Sequence, residues 1–321
     1  MKPGLPMLFT TLIALAAPQF ALGENITHAK VTWKQITANV VYVNMDSPNV
    51  RVTPALAKKG TGSSESFRSM VDRLHPTAAI TGTFFCTRSL QPTGDIVIEG
   101  KRMHSGCVGT ALCITDDGQV QFRTLKDGRS SGWQGCRTVI CAGPTLVRDG
   151  KMALAPKAEG FKDPEIFRRK PRAAVAYTSN NKLLMVTVSR PILLSDLAGL
   201  LLHLGASDAV DLDGGSSTAL YYRGSMINRP TRSLTNLLVA YETPEQYAAY
   251  RSQLAPDMPT MLARSTHERA SRPATALSDG ALIGMFVKTP NPRLTQTPYW
   301  DVYRPFAERR SDVQTISARP E

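Results

Sequence analysis

The chain is poor in the residues that usually mark a metal or a thiol-based catalyst. Of 321 residues, five are His and five are Cys. Cys86, Cys107, Cys113, Cys136 and Cys141 crowd into one 56-residue stretch without a CxxC pair, and His104 is the only histidine near them. That spacing does not match the usual zinc sites. In an exported chain, five cysteines point instead to one or two disulfides with one thiol left over, the pairing being open. No Gly-x-Ser-x-Gly elbow is present, which argues against a serine-hydrolase nucleophile.

Long apolar runs are equally scarce. The longest, from Leu5 to Ala17, is shorter than the roughly 20 residues a membrane span needs. Lys2 precedes it, and Ala21-Leu22-Gly23 places small residues before Glu24. These features predict a secretory signal over residues 1–23, with an uncleaved anchor as the alternative. No Cys follows for lipid attachment. The expected mature protein is secreted or periplasmic and has no integral membrane segment.

Acidic residues are also in deficit, with 26 Asp and Glu against 38 Lys and Arg, a net charge of +12. The part from Pro244 onward holds ten basic against eight acidic residues. Between Glu24 and Thr243 the balance is 27 to 18, so the excess belongs to the body. A basic body attracts acidic substrates and polyanions, or simply an anionic envelope. No stacked-aromatic or basic-helix motif accompanies it, so nucleic acid is not an expected partner.

What is present reads as strands separated by turns. Asp116-Asp117-Gly118, Asp149-Gly150 and Ser179-Asn180-Asn181-Lys182 mark hairpins. Phe67, Met70, Val71 and Leu74 have helical spacing behind a Ser66 cap. A second helix is expected from Asp196 to Leu204, capped by Ser195 and stopped by Gly205. It lies between strands Leu183–Ser189 and Asp208–Asp213, which suggests a parallel strand–helix–strand unit. The expected fold class is α/β (α+β-like), one domain over residues 24–243 with a mixed sheet flanked by helices. Residues 244–321 are expected to form a C-terminal helix and a Pro-rich tail. No internal repeat is visible.

The most chemically loaded stretch is Asp211-Leu212-Asp213-Gly214-Gly215-Ser216-Ser217-Thr218. Alternation puts Val210 and Leu212 on one face of a strand and both carboxylates on the other, aimed at a cleft beyond the strand's C-terminal end. Gly214, Gly215 and Ser216 can turn sharply and present backbone N–H groups to an anion.

Other segments join it in a fixed order: Thr81-Gly82-Thr83-Phe84-Phe85, Gly143-Pro144-Thr145-Leu146, Pro171-Arg172-Ala173-Ala174, then Asn228-Arg229-Pro230 and Arg232. Together with Asp-Gly-Gly-Ser-Ser, this series resembles the phosphodiester glycosidase family over about residues 35 to 242. The resemblance implies an α/β fold and hydrolysis of a sugar-1-phosphodiester. By position it implies functional roles for Asp213, Gly214, Gly215 and Ser217, for Arg172 and Gly143, and for Asn228 and Arg232. Thr81 stands where the family has Asn, which loses an NH2 donor. Ser216 stands where a third glycine is common.

The bond to be broken joins an anomeric carbon to a phosphate oxygen. Asp213 is the candidate acid–base or nucleophile, with Asp211 the nearest second carboxylate. Arg172 is the candidate phosphate clamp, because its planar fork matches two oxygens. Ser217 and Thr218 are placed to hydrogen-bond sugar or phosphate. The sequence requires no cofactor, although Asp211 and Asp213 could hold a divalent cation. His104 is a weaker general-acid candidate, and His203 reads as structural. Of Phe84 and Phe85, one should line the cleft and the other pack inward. The partner is a phosphorylated or phosphodiester-linked glycan. Two alternatives stay open: a non-catalytic polysaccharide-binding protein, and a metal-dependent phosphodiesterase that cuts P–O.

Overall fold

A computed structural model describes residues 24–106, 109–125 and 132–258. The expected signal segment, Cys107 and the Pro-rich region from residue 259 lie outside these. The chain starts with a hairpin of β1 (Ile26–Trp33) and β2 (Ile36–Asn44), then β3 (Arg51–Leu56), α1 (Phe67–Leu74) and β4 (Ala78–Thr81). Next come β5 (Ile96–Ile98), β6 (Lys101–His104), β7 (Thr110–Thr115), β8 (Val120–Thr124) and β9 (Cys136–Ala142). The third stretch holds β10 (Thr145–Arg148), β11 (Lys151–Met152), β12 (Lys170–Thr178), β13 (Lys182–Ile192), α2 (Leu194–His203) and β14 (Ala206–Leu212). The last elements are β15 (Leu220–Tyr222), β16 (Ser225–Asn228), β17 (Asn236–Tyr241) and α3 (Pro244–Tyr250).

The strands form three sheets. The first has seven strands in the order β1-β2-β13-β12-β14-β10-β11. The second is β16-β15-β4-β17-β3 and the third β6-β5-β9-β7-β8. Val41, Val43, Ala173, Val175, Val210 and Leu212 of the first sheet meet Ile80, Leu220 and Leu238 of the second and Leu112 and Ile140 of the third in a central core. The opposite face of the first sheet is covered by α2 through Leu197, Leu200 and Leu201. α1 and α3 cover the second sheet, and Tyr247, Leu254, Ala255 and Met258 are buried there. Residues 244–258 thus pack as part of the body.

This architecture corrects the expected mixed sheet flanked by helices. All the strand pairings among the described residues are antiparallel. The predicted strand–helix–strand unit exists as β13, α2 and β14, but its two strands are not neighbours. β12 lies between them, antiparallel to both, with Ala174 opposite Val186 on one side and Asp211 on the other. The two outer strands therefore run in the same direction without pairing. α2 also starts at Leu194 rather than Asp196. Asp196 reaches back to accept the Leu193 N–H at 3.0 Å, and this fixes the first turn one residue before Ser195.

Cys113, Cys136 and Cys141 share a small buried core with Val97, Trp133 and Val139. Burial pushes the Cys113 and Cys141 thiols up.

Candidate active site

β14 ends at Leu212, and Asp213 opens the turn that follows. Three segments hold this point. The Asp213 N–H donates to the Gly82 carbonyl at 3.0 Å. The Asp211 N–H donates to the Pro144 carbonyl at 3.0 Å, while the Gly143 N–H donates to the Asp211 carbonyl at 2.9 Å. Beyond the glycines, the Thr231 N–H donates to the Ser216 carbonyl at 2.9 Å. The sequence-distant motifs therefore converge because their backbones hydrogen-bond to the Asp-Gly-Gly loop.

Close packing sets the glycines at two positions. A Cβ on Gly214 would lie 2.8 Å from the Pro171 carbonyl oxygen. A Cβ on Gly82 would lie 1.9 Å from Oδ1 of Asn236. That Asn236 oxygen accepts the Thr83 N–H at 2.8 Å, and the Asn236 amide donates to the Thr83 carbonyl at 3.2 Å. Asn236 thus clamps the loop that receives Asp213, a role the sequence did not signal.

Asp211 departs from its expected place in the cleft. It is 0% exposed, as is Arg172, and the two form an ion pair at 3.2 Å. Arg172 donates further to the carbonyls of Ile166 and Arg168, both at 2.8 Å, and to that of Ile192 at 3.4 Å. A guanidinium sealed and engaged in this way cannot also grip a phosphate, so the clamp assigned to Arg172 is corrected to an internal brace. Alternation did place both carboxylates on the face opposite Val210 and Leu212. That face is packed with α2, and the Pro164–Phe167 turn lies close to the brace, so Asp211 is enclosed. Its Oδ1 has no hydrogen-bond partner.

Asp213 is half-buried at the surface of this arrangement. Burial raises its pKa to about 6, opposed by the nearby Ser217 hydroxyl and by the charges of Arg232 and Lys170. Burial likewise lifts Asp211 to about 7, against the pull of Arg172 and Lys170 and with the push of Asp213. Lys170 therefore faces both carboxylates. The strand-opening position of Lys170, two residues before Arg172, was the available signal.

Arg232 sits over the Phe85 ring, 4.3 Å from its centroid. Phe84 instead packs inward, edge-on to Phe161 at 6.2 Å. Thr218 Oγ1 and Thr83 Oγ1 are buried and have no hydrogen-bond partner, while the buried Ser217 hydroxyl is turned to Asp213. Unpaired buried hydroxyls are costly and call for a ligand or water. Ser216 is exposed at the tip of the turn, and Gly215 is half-buried.

The remaining candidates are not contact groups. Thr81 is 1% exposed within β4, its N–H on the Ala219 carbonyl. Gly143 is buried and serves through its backbone. Asn228 Oδ1 accepts from the Thr187 hydroxyl at 2.6 Å, and its side-chain amide donates to the Ser189 hydroxyl at 2.6 Å, bonds that tie β16 to β13. His104 lies half-buried on β6, its pKa lowered by burial. His203 stacks on Trp33 at 5.8 Å. Among the described residues, no group of three or more His, Cys, Asp or Glu is assembled to hold a metal.

A hypothetical protein from Synechocystis superposes with a TM-score of 0.59 at 17% identity, covering 67% of this chain and 61% of its own. The chain thus spans less than two thirds of that protein's length. The zebrafish N-acetylglucosamine-1-phosphodiester alpha-N-acetylglucosaminidase catalytic domain superposes with a TM-score of 0.56 at 20% identity, covering 68% of this chain and 82% of its own. These likenesses establish the fold. No curated protein matches the chain by sequence. The phosphodiester glycosidase family model matches residues 75–241, just over half of the chain, and the chain belongs to that family.

Proposed function

We propose that this chain is a hydrolase that cleaves the glycosidic C–O bond of a sugar-1-phosphodiester in a glycan. The single observation that carries the reading is Asp213. It is a half-buried carboxylate, ionised above about pH 6, with Lys170 and Arg232 near enough for their charges to act on it, the Ser217 hydroxyl turned to it and the Thr218 hydroxyl of the same loop unpaired. An anionic diester fits between the two cations, and the orphan hydroxyls can receive the sugar or the phosphate oxygens. Asp213 then acts on the anomeric carbon, as a base for the attacking water or as the nucleophile. Water adds across the C–O bond: the sugar carbon takes OH, and the departing oxygen stays on phosphorus as a phosphomonoester. A phosphate leaving group needs little protonation, so one half-buried carboxylate suffices. Asp211 and Arg172 are positioning residues, holding the strand end and the Ile166–Arg168 backbone in place. We also propose export, supported by the signal-like residues 1–23; N-terminal sequencing of the mature protein should begin at Glu24.

Turnover of an N-acetylglucosamine-1-phosphodiester in 18O-labelled water, with and without chelator, tests the reading. Label in the released sugar is the expected result. Label in the phosphate, lost with chelator, would assign P–O cleavage by a metal-dependent phosphodiesterase instead. The Asp213→Asn variant should lose activity by about 10²–10⁴-fold, the range of a positioned acid–base group. The wild-type kcat/KM should climb with pH to a plateau above about 6, following ionisation of Asp213.

A further inference from the structure

A cleft of about 620 Å³ opens beside the Asp213 loop, and nothing in the reaction above uses it. Its apolar lining comes from Phe67, Met226 and Pro230, and its charged lining from Arg68, Arg229 and Arg232. It adjoins the site, because Thr231 and Arg232 of its lining hold the Asp-Gly-Gly loop and the Phe85 ring respectively. Thr231, between Arg229 and Arg232 on the same wall, holds the Ser216 carbonyl. Arg68 is paired with Asp72 at 2.8 Å. Arg229 is exposed and makes no hydrogen bond or ion pair with any described residue. Arg232 has an aromatic ring beneath it but no hydrogen-bonded acid. No acidic side chain lines the cleft.

Two guanidiniums on one wall without a paired acid, Arg229 and Arg232, raise the local concentration of anions. One phosphodiester needs Lys170 and Arg232 only. Arg229 lines the same cleft, unpaired, and has no use for a substrate that carries a single negative charge. We propose that the cleft is an extended subsite for a substrate with repeating phosphates: one phosphodiester sits at Asp213, and Arg229 binds a second phosphate on the same chain. The apolar lining accommodates the carbon-bearing part between them. This rests on the reading of Asp213 as the reaction centre, and it narrows the substrate class from any sugar-1-phosphodiester to a polyanionic one.

Binding separates this inference from that reading. The probe is a fluorescent oligo(glycerol phosphate), which has repeating phosphates but no anomeric carbon, so it is bound without turnover. With the full-length protein, anisotropy should show the oligomer binding about tenfold or more tighter than glycerol 1-phosphate. Arg229→Glu should weaken the oligomer by about tenfold, and Arg229→Lys should retain most of the affinity, as expected when charge rather than shape holds a phosphate. Lys151→Glu, the same charge change on the edge strand β11, should leave the affinity within about twofold. Equal affinity for oligomer and monomer would overturn the proposal. So would an undiminished Arg229→Glu variant, or an equal loss in Lys151→Glu. A reaction that fails in 18O water while the oligomer still binds through Arg229 would discard the chemistry and keep the subsite.

Discussion

Two carboxylates two positions apart on one strand end behave as different chemical groups because their surroundings differ. Asp211 is enclosed, braced by Arg172 and left with one unpaired oxygen; Asp213 is half-buried, beside the Ser217 hydroxyl and within reach of the charges of Arg232 and Lys170. Removing one member of a buried pair leaves the other charge stranded, at a cost of about 3–5 kcal/mol. Arg172→Met should therefore lower stability by that amount in urea titration. It should also lower kcat more than it raises KM, since it disturbs position rather than contact. The double variant Arg172→Met, Asp211→Leu should recover most of the stability, because a packed apolar pair avoids the desolvation penalty. A double variant no more stable than the single would show that the hydrogen bonds to Ile166, Arg168 and Ile192, not the ion pair, carry the brace.

The elements that make the site come from different sheets, and the joints are backbone hydrogen bonds. The loop after β4 lies against Asn236 at the start of β17, so closely that no side chain fits on Gly82. Gly82→Ala should cost about 1–3 kcal/mol through overpacking and should reduce turnover too, because the Gly82 carbonyl is what receives the Asp213 N–H. Thermal melts and initial rates on the same variant check both effects. Much of this scale was legible in the sequence. Hairpin turns at Asp-Gly, the α1 cap and the split between Phe84 and Phe85 follow from local chemistry. The first hairpin was not legible, because Lys34 and Gln35 turn it with positive φ and without glycine or asparagine. Strand order was hidden for another reason. Spacing around α2 fixes the direction of β13 and β14 but says nothing of β12 entering between them. At the site, the motifs identified which segments meet, whereas burial decided which side chains face the substrate. That is why Arg172 was read as a contact residue while Lys170, with no motif of its own, was overlooked.

Across the whole molecule, the raised carboxylates tie stability to pH. The folded state keeps a proton on Asp213 up to about pH 6, while the unfolded chain releases it near the usual 3.8. Between those limits the folded state binds more protons, so the stability this group contributes falls as pH rises from about 4 to 6. His104, held low by burial, works in the opposite sense. The comparison that isolates Asp213 is the change in melting temperature between about pH 4.5 and 7.5 in wild type and in Asp213→Asn. The difference should be shifted in the Asn variant in favour of the higher pH. Identical pH profiles would mean that Asp213 titrates as an ordinary exposed carboxylate.

The anchoring of Asp213 also limits how its loop could be moved or inherited. Gly82, Pro144 and Thr231 belong to widely separated parts of the chain, and each closes a different hydrogen bond around the Asp-Gly-Gly turn. Residues 211–218 transplanted into a foreign hairpin would carry their side chains but none of their anchors, and would be chemically silent. A working copy has to bring strands from the first two sheets with it, so this centre passes between proteins as a whole domain and not as a cassette.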